Sequence, residues 1–409
     1  MCESSIDLYD CKSNILGEVY SLYDLANWKN GLAFKKIHFS ENGVPVIKIA
    51  ELNNGIGAST SYTNGTYSDD VHLVRGDMLF SWSGNPKTSI DVFWFALDEG
   101  WLNQHIFKVT VNEQIIYKEY FYYLLKNLKP VFQKIASNKQ TTGLGHVTIS
   151  DLKKIEVTVP QLYIQKKIVK LLEHLDDKIA NNNEINRNLS EQAQAFYWSW
   201  FVSCENFGGK VPSNWRKAVL GDIAEIKTST FKPTKEPDVV VEHYSIPALD
   251  EKHFPVFEIA ESIKSNKYIL TQNSVIISKL NPDTKRIWRP LCISDRPICS
   301  TEFIVFEAKN SRNKDYIYSI IDSTAFSNYL CSHVTGSTGS RQRAVPKATL
   351  DFELFIPTQE IIDEFCSFVT PLYDLIASNE LENYRLAELR DSLLPKLMSG
   401  EIDVSNIKI

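Results

Sequence analysis

Apolar residues along this chain follow two different periods. Over 168–200 they fall three and four places apart, at Ile168, Leu171, Leu175 and Ile179 and, after a polar interval, at Leu189, Ala193, Phe196 and Trp200. That spacing predicts a helix with an apolar seam for a second helix. A similar seam runs through Phe365, Phe368, Leu372, Ile376, Leu386, Leu393 and Leu397, with Arg390 in one apolar place. Thr370 followed by Pro371 suits a helix N-cap and first turn, so the spacing predicts a short helix near 359–369 and a long one near 371–398. Elsewhere alternation of period two predicts strands at 44–49, 77–82, 106–111 and 154–159, with helices at Lys118–Lys126 and Asp315–Asp322.

The two helical segments are copies of one another. Leu175-Asp176-Asp177-Lys178-Ile179-Ala180-Asn181-Asn182 returns as Leu372-Tyr373-Asp374-Leu375-Ile376-Ala377-Ser378-Asn379, an offset of 197 residues without a gap. Val159-Pro160 and Ile356-Pro357 obey the same offset, while Leu16-Gly17-Glu18-Val19 and Asn85-Pro86 return near Leu220-Gly221-Asp222-Ile223 and Asn281-Pro282. Between these anchors the halves share little. The chain therefore reads as a variable domain over 1–160, a helical spacer over 161–205, a second variable domain over 206–357 and a second spacer over 358–409. The expected class is α+β, with two pseudo-two-fold related α/β domains joined by two long antiparallel helices forming a coiled coil. Asn182 and Asn186, matched by Asn379 and Asn383, lie on the seams, where a buried polar residue fixes register at a cost in stability.

Composition narrows the function. With 409 residues, 43% of them hydrophobic, the chain can bury several cores. No apolar run approaches the ~20 residues of a membrane span, and the start lacks a signal peptide pattern, so a soluble cytoplasmic protein is expected. Cys2, Cys11, Cys204, Cys292, Cys299, Cys331 and Cys366 are odd in number and scattered, the pattern of reduced thiols and not of a zinc site. The net charge of −6 means that a DNA ligand would meet locally basic loops, with partners supplying further positive charge.

Catalytic motifs are missing from the sequence. No GxxxxGK[ST] loop occurs, Gly55-Ile56-Gly57 is not followed by a third glycine, and Asn281-Pro282-Asp283 lacks the second proline of an amino-methyltransferase loop. Pro237-Asp238 with Asp250-Glu251-Lys252 fits a nuclease pattern only loosely, leaving a stand-alone endonuclease as one alternative and a coiled-coil scaffold that does not bind DNA as another. No catalytic residue and no metal ligand is assigned.

Two polar loops per repeat suit nucleic acid better. In the second domain one carries Lys279, Asn281, Lys285, Arg286 and Arg289 around a tryptophan. The other, rich in glycine, carries Ser337, Thr338, Arg341, Gln342 and Arg343. Arginine and glutamine pair bidentately with guanine and adenine edges, and hydroxyls suit phosphates. The first domain has counterparts in Ser81, Ser83, Asn85 and Lys87, and in Lys139, Gln140, Thr141 and Thr142.

These features resemble the specificity subunits of type I restriction-modification enzymes. The likeness rests on Val159-Pro160-Gln161 and Ile356-Pro357-Thr358, on Gln165-Lys166-Lys167-Ile168-Val169 with Leu175-Asp176, and on Val211-Pro212-Ser213-Asn214-Trp215. Most specific is the ending Leu389-Arg390-Asp391-Ser392-Leu393-Leu394-Pro395-Lys396-Leu397-Met398-Ser399-Gly400-Glu401-Ile402. No Pro-x-x-Trp precedes the first domain. The resemblance implies two target-recognition domains, each reading one block of an asymmetric double-stranded DNA sequence, with the helices setting the interval between blocks. It implies a chain without a cofactor of its own, docked by two methylation subunits that bind S-adenosylmethionine and modify adenine at N6. A motor and nuclease subunit using ATP and Mg would join them.

Overall fold

A computed structural model describes residues 17–140, 143–336 and 342–407. It divides into two compact units, one made of the described residues up to Asp176 together with those from Ala387 onward, the other of Asp177–Leu386. The division falls inside both long helices.

In the first unit an antiparallel sheet is ordered Ala26–Asn30, Ile106–Val111, Met78–Ser81, Asp91–Trp94. Successive side chains of a strand point to opposite faces, and here both faces are covered. Met78 and Phe80 enter a core with the helices Lys118–Asn127 and Lys129–Asn138, whereas Leu79 enters a second core with Ile47, Val71 and Leu102. Burial on both faces is why Met78–Ser81 is apolar throughout up to its last residue. The second core lies against a mixed sheet ordered Tyr62–Thr63, Val44–Ile47, Glu99–Leu102, His72–Val74, in which Val46 pairs in parallel with Trp101. Gly17–Ser21 pairs with Glu156–Pro160, in register Gly17 to Pro160, so the first and last strands of the domain lie side by side.

The second unit repeats this plan. Its sheet Ala224–Lys227, Phe303–Ala308, Ser274–Ser278, Ile287–Trp288 has the same order, and Arg216–Val219 pairs with Glu353–Ile356 as the closing pair. Val275 and Ile277 enter one core and Ile276 another, the arrangement of Met78, Leu79 and Phe80. The second sheet has gained a strand, running Thr230–Phe231, Lys267–Ile269, Pro297–Ser300, Val240–Tyr244, Val256–Ile259.

The long helices are Leu162–Tyr197, followed by a π-helical turn at Trp198–Val202, and Gln359–Ser399. At 1.5 Å per residue they extend about 54 and 60 Å. Within each unit the two pair antiparallel. Asp176 accepts from Arg390 at 2.6 Å in the first unit, and in the second Asn182 meets Asn383 while Phe196 stacks on Phe368. Leu172, one place from the predicted Leu171, is the fully buried seam residue beside Ile168.

The expected break at Pro371 is absent: the second helix runs unbroken through it. Thr370 does not cap, because its hydroxyl donates to Asp315 Oδ2 at 2.7 Å. An interior proline costs ~3 kcal/mol. Phe365, Val369 and Tyr373, all buried on either side of it, each contribute roughly 1.5–3 kcal/mol by leaving water, and together they outweigh that cost.

A loop of the second domain docks on the second long helix through His253 and Phe254. His253 Nδ1 lies 2.7 Å from Glu380, and the Phe254 ring stacks on Tyr384 with centroids 4.3 Å apart. Trp288, Arg289, Tyr318 and Tyr373 line the same small cavity of about 30 Å³. Burial opposes the imidazolium, but the hydrogen bond and charge of Glu380 outweigh it and hold the His253 pKa above its usual value. A raised histidine pKa contributes stability that is complete below the unfolded value of about 6.5 and is lost as pH rises through the folded value. Melting curves of the wild type and His253→Asn, which tolerates the same left-handed backbone (φ 49°), should therefore diverge at pH 6 and converge by pH 8.5. A constant difference across that range would remove the ion pair as the cause.

Candidate nucleic-acid interface

The two candidate loops of each domain meet, and they meet in the same way. In the first domain Val147 N donates to Trp82 O at 2.8 Å, and Gly145–His146 pairs with Ser83–Gly84. In the second, Ala344 N donates to Lys279 O at 2.8 Å and Asn281 N to Gln342 O at 2.9 Å. Residues 82 and 147 become 279 and 344 on adding 197, the offset read from the helices. A third strand also follows it, since Trp82 N donates to His105 O and Lys279 N to Glu302 O.

In the first domain Ser81 is fully buried, so its hydroxyl is removed from any surface ligand. Ser83 is half-buried in the paired strand. Asn85 holds a turn, its Oδ1 accepting from Lys87 N at 2.9 Å, and leaves the Lys87 side chain exposed. Lys139 donates to both oxygens of Asp151, at 2.5 and 2.6 Å. Gln140 donates to Gly143 O at 2.7 Å. Thr141 and Thr142 lie outside the described residues.

In the second domain most of the cations have carboxylate partners. Lys285 pairs with Asp322, Arg286 Nε donates to Asp250 at 2.7 Å, and Arg343 reaches Glu302 at 3.0 Å. Arg289 is the most enclosed, its side chain 17% exposed, between Asp315 at 2.7 Å and Asp374 at 2.8 Å. It ties the domain to the second long helix and offers little of itself to a ligand. Lys279 is only half-buried, and its amine has no partner among the described residues. Asn281 adopts a left-handed conformation (φ 48°), which asparagine tolerates, and its buried Oδ1 has no partner among the described residues. Gln342 is half-buried, and Ser337, Thr338 and Arg341 lie outside the described residues. Sequence reasoning missed Glu302 and His105, which the 197-residue offset, applied to the strand beside the loops, would have found.

The four seam asparagines come together in the helix pair. Asn182 Nδ2 donates to Asn383 Oδ1 at 2.9 Å and to Glu382 at 2.7 Å, and Asn379 Nδ2 donates to Asn186 Oδ1 at 2.7 Å. Asp250 of the loose nuclease pattern is taken up by Arg286, and among the described residues no three His, Cys, Asp or Glu side chains form a group able to hold a metal ion. Among them, too, no helix is long and apolar enough to cross a membrane.

Fold and loops define a protein of two repeated α/β domains on a helical frame, each presenting one pair of polar loops. A crystallised S subunit of a type I restriction-modification system from M. genitalium has a similar fold, with a TM-score of 0.53 at 16% identity, covering 96% of this chain and 98% of that one. Residues 16–191 match the family described as type I restriction modification DNA specificity domain. The specificity subunit of the MjaIX enzyme from Methanocaldococcus jannaschii is 25% identical over 74% of this chain and 73% of its own. That of the HindI enzyme from Haemophilus influenzae is 23% identical over 81% and 87%. By these comparisons the chain is similar to type I restriction-modification specificity subunits, with the family's DNA specificity domain matched over residues 16–191.

Proposed function

We propose that this chain reads DNA for a type I restriction-modification complex and carries out no catalysis itself. Each domain lays its paired loops against one block of an asymmetric two-part target, and the long helices set the unspecific interval between blocks. Two methylation subunits carrying S-adenosylmethionine dock on the chain and methylate adenine at N6 in sites so chosen. A motor and nuclease subunit, using ATP and Mg, restricts unmodified DNA.

The observation that carries this reading is the loop pairing, which is retained at a fixed offset while the side chains on it differ. A common scaffold with unlike side chains suits two unlike half-sites, because bases are read by side-chain edges and register is set by backbone and phosphate contacts. The net charge of −6 agrees with partners supplying much of the phosphate neutralisation.

Genome-wide mapping of methylated adenine, in cells with and without this chain and with the same methylation subunits, tests it. A single asymmetric two-part motif should vanish with the chain. An unchanged methylome would sink the reading.

A further inference from the structure

Where three strands cross at the loop pair, the second domain carries Glu302, Lys279 and Arg343, and the first carries His105, Trp82 and His146. Position by position these are equivalents at the 197-residue offset. In the first domain the Trp82 ring leans on His105, with centroids 5.7 Å apart, and neither a guanidinium nor a carboxylate is present among the three. In the second, Arg343 reaches across the Lys279 strand to Glu302, Nε at 3.0 Å and Nη2 at 3.3 Å.

That geometry is informative. A guanidinium has five N–H donors in a planar fork. Glu302 occupies one donor on Nε and one on Nη2, so the second proton on Nη2 and one on Nη1 are left together on the end edge. Two neighbouring donors on one rigid edge are what O6 and N7 of guanine accept. The pair is also poorly placed to serve stability, since Arg343 and Glu302 are 45% and 31% exposed and ion pairs in that range contribute ~0–1 kcal/mol. Around it stand the amine of Lys279, without a partner among the described residues, and Asn281, whose backbone N–H donates to the carbonyl of the residue before Arg343.

We propose that Arg343 reads a guanine in the block contacted by the second domain and that Glu302 is the positioning residue that aims it. The inference rests on the proposed specificity role and adds to it a base and a pair of residues. The first domain, with His105, Trp82 and His146 in the same place, reads its block without this fork.

The test compares wild type, Arg343→Lys and Glu302→Gln, each in the full chain with its methylation subunits. The readouts are adenine methylation mapping and salt-dependent binding to duplexes that vary one base pair at a time. Arg343→Lys keeps the charge and loses the fork. It should reduce discrimination for guanine at one position of one block by roughly 5- to 150-fold, leaving the other block unchanged. Glu302→Gln should weaken the preference at that same position by a smaller factor. A purely structural role would degrade every position of that block alike, whereas preference retained at its other positions shows that the second domain is folded. Affinity lost equally on every sequence, with no change in base preference at any position, would make Arg343 a phosphate contact and overturn the proposal. An unchanged motif in both variants would overturn it as well and leave the specificity role standing. A wild-type complex with no two-block motif would overturn both.

Discussion

Arg289→Met should lower the stability of the second unit by about 3–5 kcal/mol, the usual cost of removing one partner from a buried ion pair. Asp315 is the reason. Its side chain is 6% exposed and receives Arg289 Nε at 2.7 Å and the Thr370 hydroxyl at 2.7 Å. Burial works against the Arg289 charge, but the hydrogen bonds and charges of Asp315 and Asp374 hold the guanidinium's pKa above its usual value. Without Arg289 the Asp315 carboxylate keeps one hydroxyl donor for its charge. Denaturant unfolding of the full chain, with hydrogen exchange followed in peptides from 274–321, would localise the loss. Arg289→Met combined with Asp315→Asn should recover part of it, because both charges are then gone. A cost below about 1 kcal/mol, typical of exposed pairs, would show that the network does not hold the domain to the helix.

The second large effect is expected from a single methyl group. A Cβ on Gly145 would stand 2.1 Å from the Ala136 carbonyl oxygen and 2.6 Å from its carbon, which are backbone atoms of the helix Lys129–Asn138. No rotamer relieves that contact, so in Gly145→Ala the strand Gly145–His146 must move away from Ser83–Gly84. Overpacking costs typically ~1–3 kcal/mol, but the functional loss should be greater, since it dismantles the loop pair of one domain. The expected methylome keeps the block read by the second domain and loses preference in the other. Gly57→Ala is the control, because a Cβ there meets nothing within 4 Å. If Gly145→Ala retains both blocks, the paired loops of the first domain are not its reading surface.

Much of the frame was legible because it depends on local periodicity. The strands at 78–81 and 106–111, the helices at 118–127 and 314–321 and the first long helix all lie where the apolar spacing put them. Pro371 was misread since local chemistry favours a break there, whereas the burial of Phe365, Val369 and Tyr373 is a tertiary effect. The candidate surface was less legible for a related reason. Four cations in 279–289 look free in the sequence, yet Asp322, Asp250, Asp315 and Asp374 come to three of them from elsewhere in the chain. Of the four, Lys279 alone has no partner among the described residues. The meeting of the loops was implicit in the repeat, but it became visible only through backbone pairing such as Ala344 with Lys279.

The closing strand pairs have a consequence for how this chain can change. Gly17 lies opposite Pro160, and Arg216 opposite Ile356, so the ends of each domain are paired, and the second domain, entered from one long helix and left into the other, departs from the frame and returns to it at one place. To the helices, the intervening chain is a loop whose ends are already tied together. The entropy of closing a loop grows only with the logarithm of its length, each doubling adding about 0.6 kcal/mol. Insertions, deletions or wholesale replacement inside a domain therefore load the frame very little, provided the closing pair survives. Divergence of the interior and constancy of the helices are then two aspects of one connectivity.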